Sequence, residues 1–207
     1  MKVLLAVAMD FSLTNSYATE TIEVLKQFNN IHICDSTIIS LPDKLKNVFK
    51  GLGGRNSSAA IKIQAIFNIM SKKFEKFELS SATVNDKKYT DKIVEWIKPH
   101  ELIIFDLGYF CIKSFKEIIE KQAYFVSRIK TNTVFYINSV KDEFEKVNLL
   151  NILRESSNGL VDTWIYVGKA QVYVRLTAVK LPEYKVNERR RKENKEAQAK
   201  GKRQNAN

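Results

Sequence analysis

The sequence predicts an α/β fold, and three stretches carry the prediction. The first runs from Glu101 to Lys130. Leu102 to Phe105 is a short apolar run of the kind that fills a buried strand. It ends on Asp106, and Gly108 follows in a turn. A segment with helical spacing comes next, with Phe110, Ser114, Ile118 and Ile119 sharing one face, and then a second strand, Tyr124 to Ile129. Strand, turn, helix and strand make a βαβ unit with parallel strands. The second stretch, Ile31 to Ile39, alternates as a strand, with Ile31, Ile33 and Asp35 on one face and His32 and Cys34 on the other. The third, from Thr133 to Leu181, is rich in Val, Ile, Thr, Tyr and Trp and reads as antiparallel strands.

Taken in order, residues 1–30 read as an N-terminal helical segment. Ile22, Leu25 and Phe28 suggest a helix, which Asn29-Asn30 breaks. Lys2 to Met9 is like the start of a signal peptide, but Asp10 interrupts it too early, so it reads as a helix or an abrupt start inside a longer domain. After the Ile31–Ile39 strand, Phe49 to Arg55 is a glycine-containing loop without the G-K-[ST] ending of a phosphate loop, and a structural role is expected. Ala60 to Met70 is a strand with Ile61, Ile63, Ala65, Phe67 and Ile69 on one face and Lys62, Gln64 and Asn68 on the other. Lys73 to Val84 is a third strand. Asp86 is expected to cap a helix from Tyr89 to Ile97, which Pro99 closes.

Beyond Asn132, strands are expected at Thr133–Ile137, Leu160–Val167 and Gln171–Leu181. A helix from Glu143 to Leu153 separates the first two, and Gly168-Lys169 turns between the last two. From Glu183 apolar residues nearly vanish, and Arg189, Arg190, Arg191 and Lys192 open a basic run that reads as a solvated, disordered tail.

With 207 residues and a hydrophobic fraction of 44%, the chain can build a sizeable core, and wholesale disorder is excluded. The formal net charge of +11 points to a polyanionic partner, with nucleic acid first and an anionic membrane surface second. The two cysteines, Cys34 and Cys111, have no paired spacing and suggest a reducing compartment, so a cytoplasmic location is expected. No run reaches the ~18 apolar residues of a membrane-spanning helix. His32 and Cys34 lack further partners for a metal and read as packing residues. On spacing alone Asp106 has two readings. It caps the turn and helix, or it is an acid at the carboxyl end of a parallel strand, where open α/β sheets place ligands.

A resemblance separates those readings. Asp106-Leu107-Gly108-Tyr109-Phe110, followed by Phe125-Val126-Ser127-Arg128-Ile129-Lys130, resembles the D-x-G-[FY]-[FYW] and F-V-x-R-[LI]-K strings around the second aspartate of bacterial DDE transposases. The type is the insertion-sequence-four family, relatives of the Tn-five enzyme. Asp35-Ser36-Thr37-Ile38-Ile39, leading to Leu41-Pro42, is similar to the family's first-aspartate string, D-[GS]-[TS]-x-[IFL] followed by L-P. Lys62-Ile63-Gln64 is similar to its K-[LIV]-[HQ], and Asn85-Asp86 stands where the family has an H-D pair.

The resemblance implies a ribonuclease-H-like α/β fold: a mixed sheet with flanking helices and an antiparallel β insertion. It divides the chain into residues 1–30, a core at 31–132, an insertion at 133–182 and a basic tail at 183–207. It implies Asp35 and Asp106 as catalytic metal ligands for Mg²⁺ in a two-metal site. It also implies adjacent first and fourth strands that bring the two acids together. Lys62, Arg128, Lys130, Arg189, Arg190 and Arg191 are the expected DNA contacts, with transposon-end DNA as the partner, no membrane, and a homodimer compatible with the intact family member. The family's third acid lies in a Y-x-x-R-x-x-x-E-x-x-x-x-x-x-K motif that no stretch after Lys130 matches. The expectation is a transposase fragment that is inactive alone, two of three acids being present. The alternatives are a noncatalytic basic nucleic-acid-binding module, and a distinct nuclease recruiting Glu155.

Overall fold

The computed structural model describes residues 23, 25–53, 57–138 and 143–199. Most of the expected N-terminal helical segment, and the tail beyond residue 199, lie outside them. Contacts divide the chain into two units, one ending at Thr133 and the other beginning at Val134.

The first unit is built on five strands. These are β1 (Ile31–Leu41), β2 (Ala59–Asn68), β3 (Lys73–Ser81), β4 (Leu102–Phe105) and β5 (Tyr124–Ser127), in the order β3-β2-β1-β4-β5. Successive antiparallel pairs join β1, β2 and β3, and β1, β4 and β5 are parallel. Each parallel step is made by a helical crossover, α1 (Lys87–Trp96) before β4 and α2 (Ile112–Glu120) before β5. This is a ribonuclease-H-like mixed sheet with flanking helices. At the β1–β2 entrance, Gly51 N donates to Ser58 O at 2.8 Å. A Cβ there would lie 2.1 Å from Ser57 O, so the glycine loop is structural: only glycine fits so near the opposing backbone.

The core lies on one face of this sheet. Cys34, Ile66, Ile103 and Phe105 pack beneath Tyr89, Ile93, Val94 and Ile97 of the α1 segment and Phe115 and Ile118 of α2. Ile119, expected on the same helical face, is 41% exposed.

The alternation expected along β1 and β2 holds, but the burial is the reverse of what polarity suggests. Lys62, Gln64 and Asn68 are buried, as are His32 and Cys34, because their face of the sheet is the one under the helices. The opposite face carries Ile33, Leu79 and Val126, which are 38%, 57% and 54% exposed. A bulge where the β2–β3 register shifts between Ile66 and Phe67 also puts Phe74 and Phe77 together, against Phe67.

At the end of the sheet where β1 and β4 begin, polar residues pair across strands. Asn30 Nδ2 donates to Glu101 Oε1 at 2.8 Å, and Asn68 Nδ2 to Glu75 Oε1 at 2.7 Å. The His32 ring lies between Glu75, 3.1 Å from Nδ1, and Glu101, 3.4 Å from Nε2. Neither ring nitrogen has hydrogen-bond geometry to these acids.

The second unit contains β6 (Phe135–Asn138), β7 (Phe144–Val147), β8 (Leu160–Val167) and β9 (Val172–Val179), in the antiparallel order β7-β6-β8-β9. Gly168 takes φ +69° at the β8–β9 turn. Phe135, Ile165, Val167, Val172 and Leu176 are buried.

Two expectations are corrected in this unit. The helix expected over Glu143–Leu153 is a strand, β7, followed by a shorter helix, α3 (Leu149–Glu155). Pairing of Phe144–Val147 with β6 overrides local preference, and Asn148 Oδ1 caps α3 by accepting from Leu150 N at 2.9 Å. Glu183–Ala199 is a helix, α4, rather than a disordered tail. Its Glu, Lys, Arg, Gln and Ala residues are strong helix formers, and Lys185 and Glu188 pair one turn apart at 2.9 Å.

Candidate active site

The parallel register sets the position of the two sequence-selected acids. Ile31, His32, Ile33 and Cys34 of β1 stand opposite Leu102, Ile103, Ile104 and Phe105 of β4. One residue further along both chains come Asp35 and Asp106. Paired residues of parallel strands project to the same side, so both acids belong to the Ile33/Ile104 side, away from the helices. There the chains diverge. β1 runs on to Leu41 along β2, whereas β4 ends at Phe105 and turns through a single 3₁₀ turn, Leu107–Tyr109. Asp106 thus stands just past the carboxyl end of β4, and Asp35 stands within β1 just past the last residue paired with β4, where the parting strands leave a crevice.

Asp35 Oδ1 accepts from Ser36 N at 2.7 Å, and both carboxylates are exposed. Phe105 pairs with Ser127 in β5, so Arg128 extends the row begun by the acids. Its Nη1 lies 3.8 Å from Asp106 Oδ1. Both side chains are more than half exposed, so this pair contributes little to stability and leaves the carboxylate available. Lys130 Nζ sits 5.8 Å from the centroid of the Phe110 ring.

The donor chemistry suits a hard divalent cation: oxygen ligands only, carboxylate in type, and solvent-accessible. The number of donors is two. Among the described residues, no group of three or more His, Cys, Asp or Glu side chains is placed to hold a metal. Glu155, the alternative third acid, ends α3 in the second unit.

Beneath the acids, on the helix side, lies a largely buried polar cluster that the sequence pattern does not reveal. Asp86 Oδ1 accepts from Lys62 Nζ at 2.9 Å, Gln64 Nε2 at 2.7 Å and Ser36 Oγ at 3.3 Å. Gln64 Oε1 accepts from the buried Tyr109 hydroxyl. Tyr109's carbonyl accepts from Thr90 Oγ1 at 3.2 Å. Two expectations change here. Lys62 is not a phosphate contact: it is 5% exposed, and its ammonium is consumed by Asp86 and by Val84 O at 2.6 Å. Asp86 precedes α1 but makes no side-chain cap. Asn85 Oδ1 accepts from Lys87 N at 3.0 Å instead, while the Asp86 carboxylate turns under the sheet. Burial pushes the Cys34 thiol up to about 12 and raises the Tyr109 phenol as well, so neither is an anion at neutral pH.

Arg189, Arg190 and Arg191 are exposed on α4. The cations named from sequence therefore differ: Lys62 is buried, Arg128 lies beside Asp106, Lys130 lies over the Phe110 ring, and three are on an exposed helix.

A five-stranded ribonuclease-H-like sheet, with an acid on each of its two central parallel strands just past their last paired residues, defines the class of the first unit. The chain belongs to the transposase DDE domain family, which matches residues 26–204. Among curated proteins it is similar to the transposases of insertion sequence elements IS231B and IS231C of Bacillus thuringiensis subsp. berliner, at 30% and 31% identity over 82% of this chain. It is 28% identical to the transposase of IS1151 of Clostridium perfringens over 75% of this chain. The chain spans 38% of the length of the IS231B and IS231C relatives and 29% of the IS1151 relative. Among solved structures it is similar to the piggyBac transposase in a synaptic complex with hairpin DNA, at 11% identity and a TM-score of 0.43, covering 76% of this chain and 35% of that one. Among the described residues, no helix is long and apolar enough to cross a membrane.

Proposed function

We propose that this chain carries two of the carboxylates of a transposase catalytic centre, Asp35 and Asp106, and that they hold a divalent cation, Mg²⁺, against transposon-end DNA. The observation that carries the reading is the β1–β4 register, which makes neighbours of two acids 71 positions apart in sequence. Metal held between them would activate the attacking oxygen and steady the leaving oxygen of a phosphodiester displacement. The chain's own residues do the rest. The two strand ends fix the carboxylates on one side of the sheet. Arg128, adjoining Asp106, and Lys130 meet the phosphate backbone where it crosses the strand exit, and Arg189, Arg190 and Arg191 add contacts whose strength falls with salt.

Two carboxylates make an incomplete donor set, so the 207-residue chain binds DNA without cleaving it. The test is binding of a labelled duplex by fluorescence anisotropy, run beside a nicking assay in Mg²⁺. Salt-sensitive binding without nicking is expected. Robust Mg²⁺-dependent nicking that Asp106→Ala abolishes would overturn the inactive part and leave the assignment of the acid. Salt-sensitive binding in Mg²⁺ that Asp35→Asn and Asp106→Asn leave unchanged would favour the noncatalytic binding module, for which the exposed basic α4 argues.

A further inference from the structure

The buried cluster around Asp86 closes a hydrogen-bonded path between the two candidate acids. Ser36 is the residue after Asp35 on β1. Its hydroxyl donates to Asp86, Gln64 of β2 donates to the same oxygen, and Tyr109, three residues past Asp106, donates to Gln64. The path therefore starts beside one acid and ends in the turn that carries the other. Backbone hydrogen bonds between β1 and β4 cannot do this work, because the register ends at Cys34 and Phe105, one residue short of both acids. Where the strands part, the side-chain path is what ties them.

The turn is also fitted closely to the Asp86 carboxylate. A Cβ at Gly108 would lie 3.0 Å from Asp86 Oδ2, so the glycine lets the Asp106 turn rest against the acid. Lys62 supplies the opposing charge from within the sheet and is itself pinned by Val84 O. A carboxyl oxygen that accepts three donors, one of them the Lys62 ammonium, is held firmly in place in a poorly solvated site. Asp86 projects to the helix side and the candidate acids to the other, so it does not join them as a ligand.

We propose that Asp86 is a positioning residue for the metal site, setting the separation of Asp35 and Asp106 from beneath through Ser36 on one side and Gln64–Tyr109 on the other. This rests on the reading of Asp35 and Asp106 as a metal pair. A purely structural role would lower stability and leave the affinity of the folded protein for a cation unchanged. A positioning role changes the affinity in chains that remain folded.

The experiment measures Mn²⁺ binding by the full chain, from the loss of the free-ion electron paramagnetic resonance signal, at a temperature where circular dichroism shows each variant folded. The variants are Asp86→Asn, Tyr109→Phe and Gly108→Ala, with Asp35→Asn as the control for the site. Tyr109→Phe removes one hydroxyl and keeps the packing, so it reports even where the Asp86 variant fails to fold. The expected result is a roughly tenfold rise in Kd for Asp86→Asn and a several-fold rise for Tyr109→Phe, with binding lost in Asp35→Asn. Wild-type affinity in folded Tyr109→Phe and Gly108→Ala, with binding still lost in Asp35→Asn, would overturn the positioning role and leave the metal site standing. Binding indifferent to Asp35→Asn would overturn both.

Discussion

Replacing Lys62 with Met is the sharpest test of the inverted burial. Met keeps most of the stem's apolar volume, so packing changes little and the ammonium is what is lost. The side chain is 7% exposed and its partner Asp86 23% exposed, which makes this a buried pair on one side and a partly solvated one on the other. Removing one partner of a fully buried pair costs about 3–5 kcal/mol. Asp86 keeps Gln64 and Ser36 as donors and touches some water, so the lower end, about 3 kcal/mol, is expected. For a chain of this size that corresponds to a fall in Tm of roughly 6–12 °C. Urea unfolding followed by tryptophan fluorescence in a Trp164→Phe background leaves Trp96, which packs edge-on against His32, as the reporter of the first unit. Duplex affinity should be unchanged where the protein is folded. A loss below about 1 kcal/mol, the range of an exposed lysine, would refute the buried pair. Weakened DNA binding at unchanged stability would restore Lys62 as a phosphate contact.

Other expectations follow from the same structure. Cys34 ionises near 9 when unfolded and near 12 when buried, so below pH 9 its contribution is complete, and stability falls as pH rises between these values. Cys34→Ser should flatten that slope in urea titrations at pH 8 and pH 10.5, although Tyr89 and Tyr109, both raised chiefly by burial, add to the fall at the alkaline end. Replacing Arg189, Arg190 and Arg191 together by Ala should lower the slope of log K against log salt by about 3 on duplex DNA if all three meet phosphates, and an unchanged slope would place the contacts elsewhere. Leu79→Lys with Val126→Lys, on the open face of the sheet, should change stability by no more than about 0.5 kcal/mol and reduce binding of a hydrophobic dye.

Local pattern made the frame of the site legible. An apolar run ending in Asp106-Leu107-Gly108 and an alternating strand holding Asp35 mark where the two acids stand, but the family resemblance, not periodicity, assigns them as candidates and implies their adjacency. The support beneath them was not legible, for a physical reason. Alternation along β2 states that Lys62, Gln64 and Asn68 share a side, but not that two helices cover that side. Their polarity argued for solvent, and only the approach of Asp86, Tyr109 and Glu75 from elsewhere in the chain makes their burial tolerable. The same holds for Asp86: its position before a helix suggests a cap, but Asn85 fills that role. In the second unit, Phe144–Val147 is too short for its pattern to separate strand from helix, and pairing with β6 decides. The scarcity of apolar residues after Glu183 suggests disorder, although the same residues are good helix formers and form α4 with most side chains exposed.

The central claim is that Asp35 and Asp106 form one cation site at the strand ends, and paramagnetic broadening of amide signals by Mn²⁺ tests it most directly. In ¹⁵N-labelled full-length chain, the amides of Ser36, Leu107 and Arg128 should broaden first on titration, and Asp106→Asn should abolish the effect. Broadening centred on Glu75 and Glu101 at the opposite end of the sheet, or on the acids of α4, would contradict the claim, as would a pattern that Asp106→Asn leaves intact.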